Sequence, residues 1–215
     1  MKGQALFHVD MVQAFGKLDI PIHYVDMISI SAHKIHGPKG IGCIYIKDGT
    51  NIAPFVVGGG QEKHMRSGTE NVPAIAGLGL AAELIYQDRE AKNARLKGMK
   101  ARMMEIFEEE LDDVLFNSSL DGAPHILNVT FEGTRGEVLL HMLEEQGVYV
   151  STGSACASNH HGRSHVILAM GRTPEQVDAT LRFSLSDHTT MEDAEAGARA
   201  AVEAVKRFRR LGKFR

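Results

Sequence analysis

The stretch Asp26-Met27-Ile28-Ser29-Ile30-Ser31-Ala32-His33-Lys34-Ile35-His36-Gly37-Pro38-Lys39-Gly40 decides how the rest of this chain is read. Its first six residues alternate as a half-buried strand does, and the next nine form a polar, turn-making segment. Ile41-Gly42-Cys43-Ile44-Tyr45-Ile46 follows as a second compact apolar run, so the pattern is strand, turn, strand. Lys34 stands at the head of that turn beside His33 and His36. A lysine attacks a carbonyl only when neutral, so a reactive lysine needs burial or neighbours that favour the uncharged amine. The competing reading is a solvated loop lysine, the usual state of this residue type.

Working outward, the chain opens with strand-like sequence around Phe7-His8-Val9-Asp10. Gly58-Gly59-Gly60 begins a loop that runs to Asn71, and Pro73 sits where its fixed φ suits a first helical turn. Leu96, Met99, Met103, Phe107 and Leu111 recur at spacings of three and four, the signature of one buried helical face. The helical stretch around them, about forty residues long, is expected to contain a kink or break, with Gly98 a weak point within it, and to bridge two domains. Beyond it, 126–131, 148–150 and 181–185 read as strands, with a helix over 137–145. Thr173-Pro174-Glu175-Gln176 carries the signals of a helix start, and Thr189 with Glu192 those of a capping box. The helix after Thr189 should bury Met191, Ala194, Ala198, Val202, Val205 and Phe208. Its basic end, Lys206 to Arg210, suits the negative pole of the helix dipole. The fold class is therefore α/β followed by a small α+β unit, with domains over 1–88 and 89–215.

Composition narrows the function. The 215 residues are 43% hydrophobic and 24% charged, which excludes a disordered chain or a disulfide scaffold. A net charge of −3 is too near neutral for a nucleic-acid partner to be expected. No apolar run reaches the ~18 residues of a membrane span, and His8, Asp10, Lys17 and Asp19 interrupt the opening twenty. The two cysteines, Cys43 and Cys156, lie far apart without CxxC spacing, so free thiols in a reducing, cytoplasmic compartment are the expectation.

Five ordered stretches carry a resemblance. They are Phe7 to Lys17 (FHVDMVQAFGK), Ser29 to Gly40 (SISAHKIHGPKG), Gly58 to Glu62 (GGGQE), Arg66 to Pro73 (RSGTENVP) and Ser151 to Ser158 (STGSACAS). Together they resemble the cysteine desulfurases, of the class V aminotransferase family, which use pyridoxal 5′-phosphate. The resemblance implies the C-terminal part of a fold type I large domain followed by a small α+β domain. It implies that Lys34 matches the lysine bonded to the cofactor and Asp10 the carboxylate that keeps its pyridine nitrogen protonated, so the ring accepts electrons. Gln13 matches the residue on the cofactor's phenolic oxygen. Ser31 and His33 match phosphate ligands, with Ser29 an addition to them. Thr69 matches a threonine that reaches the other subunit's phosphate in the family's dimer, and Arg182 the arginine that holds the substrate carboxylate.

Cys156 lies among small and polar residues, followed by His160, His161 and Arg163, and that is where a reactive thiol belongs. Cys43, inside an apolar run, reads instead as packing. A metal site from Cys156, His160, His161 and His165 fits no standard zinc spacing. The resemblance makes Cys156 the sulfur acceptor, although Gly162-Arg163 departs from the family's usual sequence there. The implied reaction takes L-cysteine to L-alanine and leaves a persulfide for an iron–sulfur scaffold or other acceptor. Family members run to nearly twice this length. The resemblance therefore also implies weak cofactor binding by this chain alone, and a homodimer or a complementing N-terminal half as partner. A non-catalytic binding module and a selenocysteine lyase are the other readings.

Overall fold

The structure, a computed structural model, describes residues 5–20, 22–152 and 163–212. They divide into two compact units, Met1–Arg89 and Glu90–Arg215. No described helix is long and apolar enough to cross a membrane.

The first unit is built on three strands, β1 (His8–Asp10), β2 (Met27–Ser31) and β3 (Gly42–Ile46), in that order across the sheet. β1 runs parallel to β2, with Asp10 opposite Ser29, and β3 returns antiparallel, with Ile28 opposite Tyr45 and Ile30 opposite Cys43. Ile28 and Ile30 turn one way with Val9, into a small core with Met11 and Val25, so Ser29 and Ser31 turn the other way. The turn after β2 is a short 3-10 segment, Ala32–Lys34.

Helix α1 (Val72–Tyr86) starts where Pro73 suggested: the Asn71 side chain accepts the Ala74 amide, and Pro73 lies in the first turn. Its buried Leu78, Ala81 and Ile85 pack on Ala32 and Ile35. Gly16, at φ +74°, has to be glycine, since a Cβ there would lie 2.6 Å from the Ile85 side chain. Between sheet and helix runs an open apolar groove of about 690 Å³, lined by Met11, Phe15, Ile28, Ile30, Tyr45 and Tyr86 among others.

The expected break is present, separating α1 from helix α2 (Arg89–Glu110); it falls at Gln87 and Asp88, the latter with φ +51°, and the weak point Gly98 does not interrupt the helix. Gly98 lies on the exposed side with nothing near its missing Cβ, and there a glycine costs only about 1 kcal/mol against alanine. The apolar face of α2 holds it straight through that point. Leu96, Met99, Met103 and Phe107 are all buried, as their spacing predicts.

The second unit is an antiparallel sheet of β4 (Val114–Phe116), β5 (Ile126–Phe131) and β6 (Thr180–Ser184) in sequential order. α2, α3 (Gly136–Glu144) and α6 (Met191–Gly212) share one core with it, and α4 (His165–Ala169) and α5 (Pro174–Asp178) are single short turns. Leu127, Val129, Phe131, Leu181 and Phe183 face that core, and Phe107 meets Phe131 edge-on, centroids 5.2 Å apart. Lys100 is fully buried and donates to the carbonyls of Ser119 (2.7 Å) and Ala123 (3.0 Å).

The Thr173–Gln176 box forms as expected, but the box that opens α6 is Thr190 with Asp193, one residue on from the expected pair. Ala194, Ala198, Val202 and Val205 are buried on α6, Phe208 is partly buried, and Met191, in the exposed first turn, is not. Residues 148–150 do not form a strand. The Val148 amide donates instead to the Leu143 carbonyl, closing the end of α3, and only Ser151 bridges to β6. β4 escaped the sequence reading because it has three half-buried residues and no alternation to detect.

Two predictions follow from this packing. Phe107→Ala should cost about 3–5 kcal/mol of stability, read as a drop in the urea midpoint with unchanged slope. Asp178, held by the Arg163 guanidinium at 2.8 and 2.7 Å, and Asp193, held first by the Thr190 amide and then its hydroxyl, both sit below the usual carboxylate range. A depressed carboxyl contributes stability above its unfolded pKa and loses it as pH falls, so unfolding should become easier below about pH 4. Asp193→Asn should flatten that acid limb of the urea-midpoint profile.

Candidate active site

The polar face of the first sheet is built by the alternation of β2 and the parallel run of β1 beside it. His8 and Asp10 on β1, and Ser29 and Ser31 on β2, occupy the face opposite Ile28 and Ile30. Because the two strands are parallel, Asp10 and Ser31 end at the same edge, where open α/β sheets place their ligands. The Asp10 carboxylate is set by an Asx turn, its Oδ1 accepting the Val12 amide at 3.0 Å. Its other oxygen has no hydrogen bond among the described residues. The His8 Nε2 and the Ser29 hydroxyl lie 2.8 Å apart.

Lys34 closes the 3-10 turn after β2 and is half-buried, and Lys17 donates to its carbonyl at 3.2 Å, fixing the turn to the segment that follows β1. His33 is exposed on the same turn, and Gln13 is exposed two residues beyond Met11. Asp10, Gln13, Ser31, His33 and Lys34 therefore all belong to the two adjacent strand ends of one unit.

Thr69 is exposed on the Gly58–Asn71 loop of the same unit. That loop carries three successive residues in the left-handed region, Glu62, Lys63 and His64, at φ +49°, +55° and +65°. L side chains resist that conformation, so the loop needs ties. The Ser67 hydroxyl donates to the Gly59 carbonyl at 3.0 Å, and the Gly68 amide donates to Gln61 Oε1 at 3.2 Å. The ties fold the loop onto itself and leave Thr69 beyond them.

Arg182 lies in the second unit, on β6, and half-buried. Its Nη2 donates to the Ser151 hydroxyl at 3.3 Å, and its buried Nε has no hydrogen-bond partner among the described residues. Cys156, with His160 and His161, lies outside the described residues. His8 and Ser151 were missed by sequence reasoning. The signal for His8 was its period-2 relation to Asp10 on a strand; for Ser151 no local signal existed, because its partner is 31 residues away.

The donor set at the strand ends suits a phosphorylated pyridine aldehyde. A carboxylate with an open oxygen can pair with a protonated ring nitrogen, serine hydroxyls and an imidazole can take a phosphate, and a primary amine can condense with a carbonyl. The apolar groove is lined by no lysine, serine or histidine, its one carboxylate, Asp19, is paired with Arg89, and it lies on the face of Ile28 and Ile30, away from Ser29 and Ser31. Cys43 lines that groove and is exposed, contrary to its expected role as packing; β3 is an edge strand and the groove beside it is open. Apolar neighbours on one side push its thiol up. Alkylation of Cys43 at pH 8 should accordingly run slower than that of an unperturbed thiol, and intact mass with Cys43→Ser and Cys156→Ser variants measures it.

Residues 1–196 match the family model described as aminotransferase class-V. A cysteine desulfurase from Sinorhizobium fredii is 40% identical over 208 residues, which are 95% of this chain and 54% of that protein. A cysteine desulfurase IscS from Clostridium botulinum is 39% identical over 210 residues, 95% of this chain and 53% of the other. Among solved structures, a NifS-like protein from Rickettsia africae superposes with a TM-score of 0.82 at 32% identity, covering 94% of this chain and 54% of that one. The chain spans about half the length of the curated relatives it matches.

Proposed function

The chain belongs to the class V aminotransferase family, and on that premise we infer that it is the catalytic C-terminal part of a cysteine desulfurase. The single observation that carries the reading is the meeting of Asp10, Ser31 and Lys34 at one end of a parallel strand pair. The likeness to named cysteine desulfurases across 95% of the chain supports the same reaction.

Pyridoxal 5′-phosphate, when bound, supplies an electron sink next to the substrate's α-carbon. In this reading Asp10 keeps a proton on the cofactor's ring nitrogen, Gln13 bonds its phenolic oxygen, and Ser31 and His33 hold its phosphate. Thr69 does the same for a second subunit. The Lys34 amine anchors the group, takes the α-proton from L-cysteine and returns a proton to the carbon skeleton. Arg182 holds the substrate carboxylate, and a guanidinium fork suits that task better than an ammonium. The Cys156 thiolate attacks the substrate sulfur. An S–S bond forms as the C–S bond breaks, the carbon keeps the electron pair and gains a proton, and L-alanine leaves. The persulfide on Cys156 passes to an acceptor such as an iron–sulfur scaffold.

In this reading the site works together with the family's other half and with a second copy. The second reading is a module that binds sulfur acceptors without a cofactor.

Absorbance decides between them. With added pyridoxal 5′-phosphate, alone and with a polypeptide supplying the other half, the chain should gain a visible band that Lys34→Ala loses. Cys156→Ser should keep the band and lose sulfur transfer to a dithiol acceptor. A chain that binds an acceptor but never gains the band would establish the module instead, and normal transfer by Cys156→Ser would overturn the role given to that thiol.

A further inference from the structure

We propose that Ser151 is a positioning residue for Arg182, presenting its guanidinium to an amino-acid carboxylate on the polar face of the second sheet. The proposal rests on the assignment of Arg182 as the carboxylate holder made above.

Arg182 lies on β6 between Leu181 and Phe183, and both of those face the core. Its own side chain therefore belongs to the opposite face, where its register partner is Asn128. No carboxylate pairs with Arg182 among the described residues, so its charge is not spent on an internal ion pair. Its Nε is shielded and lacks an acceptor. A half-buried guanidinium whose shielded Nε has no acceptor is incomplete, and a carboxylate is the acceptor whose two oxygens match its fork.

What holds that fork is a neutral hydroxyl at 3.3 Å from Nη2. The hydroxyl is itself placed by backbone. The Ser151 amide donates to the Arg182 carbonyl at 3.1 Å, and the Arg182 amide donates to the Ser151 carbonyl at 2.7 Å. Among the described residues this reciprocal bridge is an isolated one. The next residue is also seated: the Thr152 methyl would lie 3.4 Å from a Cβ placed on Gly136 at the start of α3. The two backbone bonds place the Ser151 Cβ, and serine's short side chain brings its oxygen to the guanidinium with little rotamer freedom to lose.

The choice of a hydroxyl is itself informative. An acid at 151 would hold Arg182 more strongly but would fill the fork and repel a carboxylate ligand. Serine orients the arginine and leaves its charge to the ligand.

Three variants of the full chain, assayed with cofactor and the complementing polypeptide, test this. Ser151→Ala should raise KM for L-cysteine about tenfold while kcat stays within about twofold, because an orienting bond to a charged group is lost. Ser151→Thr should restore KM. Ser151→Asp should raise KM beyond Ser151→Ala, although it strengthens the contact to Arg182; a purely structural role predicts the reverse order. Thermal melting of each variant reports on folding independently. An unchanged KM in Ser151→Ala, or a Ser151→Asp variant no worse than Ser151→Ala, overturns the proposal and leaves the desulfurase reading intact. A wild-type chain that gains no cofactor band and turns over no L-cysteine overturns that reading, and the role of Ser151 falls with it.

Discussion

The parallel pairing of β1 with β2 is the constraint on which the site depends. Parallel neighbours end at the same edge, so Asp10 and the Ser31–Lys34 turn come together there. Alternation then sorts the sides: Ile28 and Ile30 join Val9 in the core, and Ser29 and Ser31 join His8 and Asp10 on the polar face. A one-residue slip in that register would send the serines into the core and the isoleucines to the polar face. The burial of Ile28 and Met11 therefore fixes the site as firmly as any hydrogen bond within it.

The second sheet uses the same rule. Leu181 and Phe183 anchor β6 into a core shared with Phe107, Val129 and Phe131, and Arg182 between them is left on the other side. A guanidinium on a strand so tightly held cannot wander, and its remaining freedom is at the end of the side chain, where Ser151 meets it. On both sheets a chemically useful residue is positioned by its apolar sequence neighbours, and sheet burial is what makes the position exact to within a rotamer.

How much of this was legible varied with the range of the interaction. The faces of α2 and α6 could be read because helical periodicity is local, and Leu96, Met99, Met103, Ala198 and Val205 are buried where spacing put them. The Thr173 box was equally local. The misreadings share a cause. Gly98 was weighed by its intrinsic propensity, whereas a packed apolar face on either side carried the helix through it. Residues 148–150 look like a strand, yet the Val148 amide was needed to close α3. Cys43 looked like core by its neighbours, but an edge strand leaves one side of its residues open.

Sequence alone determined the chemistry available: which residues can donate, accept, carry charge or condense with a carbonyl, and the order in which they occur. It determined the local periodicities too, since these depend on the few dihedral wells open to each residue. Tertiary structure decided which of those residues share a face and which partner orients them. The approach of His8 to Ser29 and of Ser151 to Arg182 joins residues 21 and 31 positions apart. Strand pairing sets such distances, and no spacing along the chain encodes them.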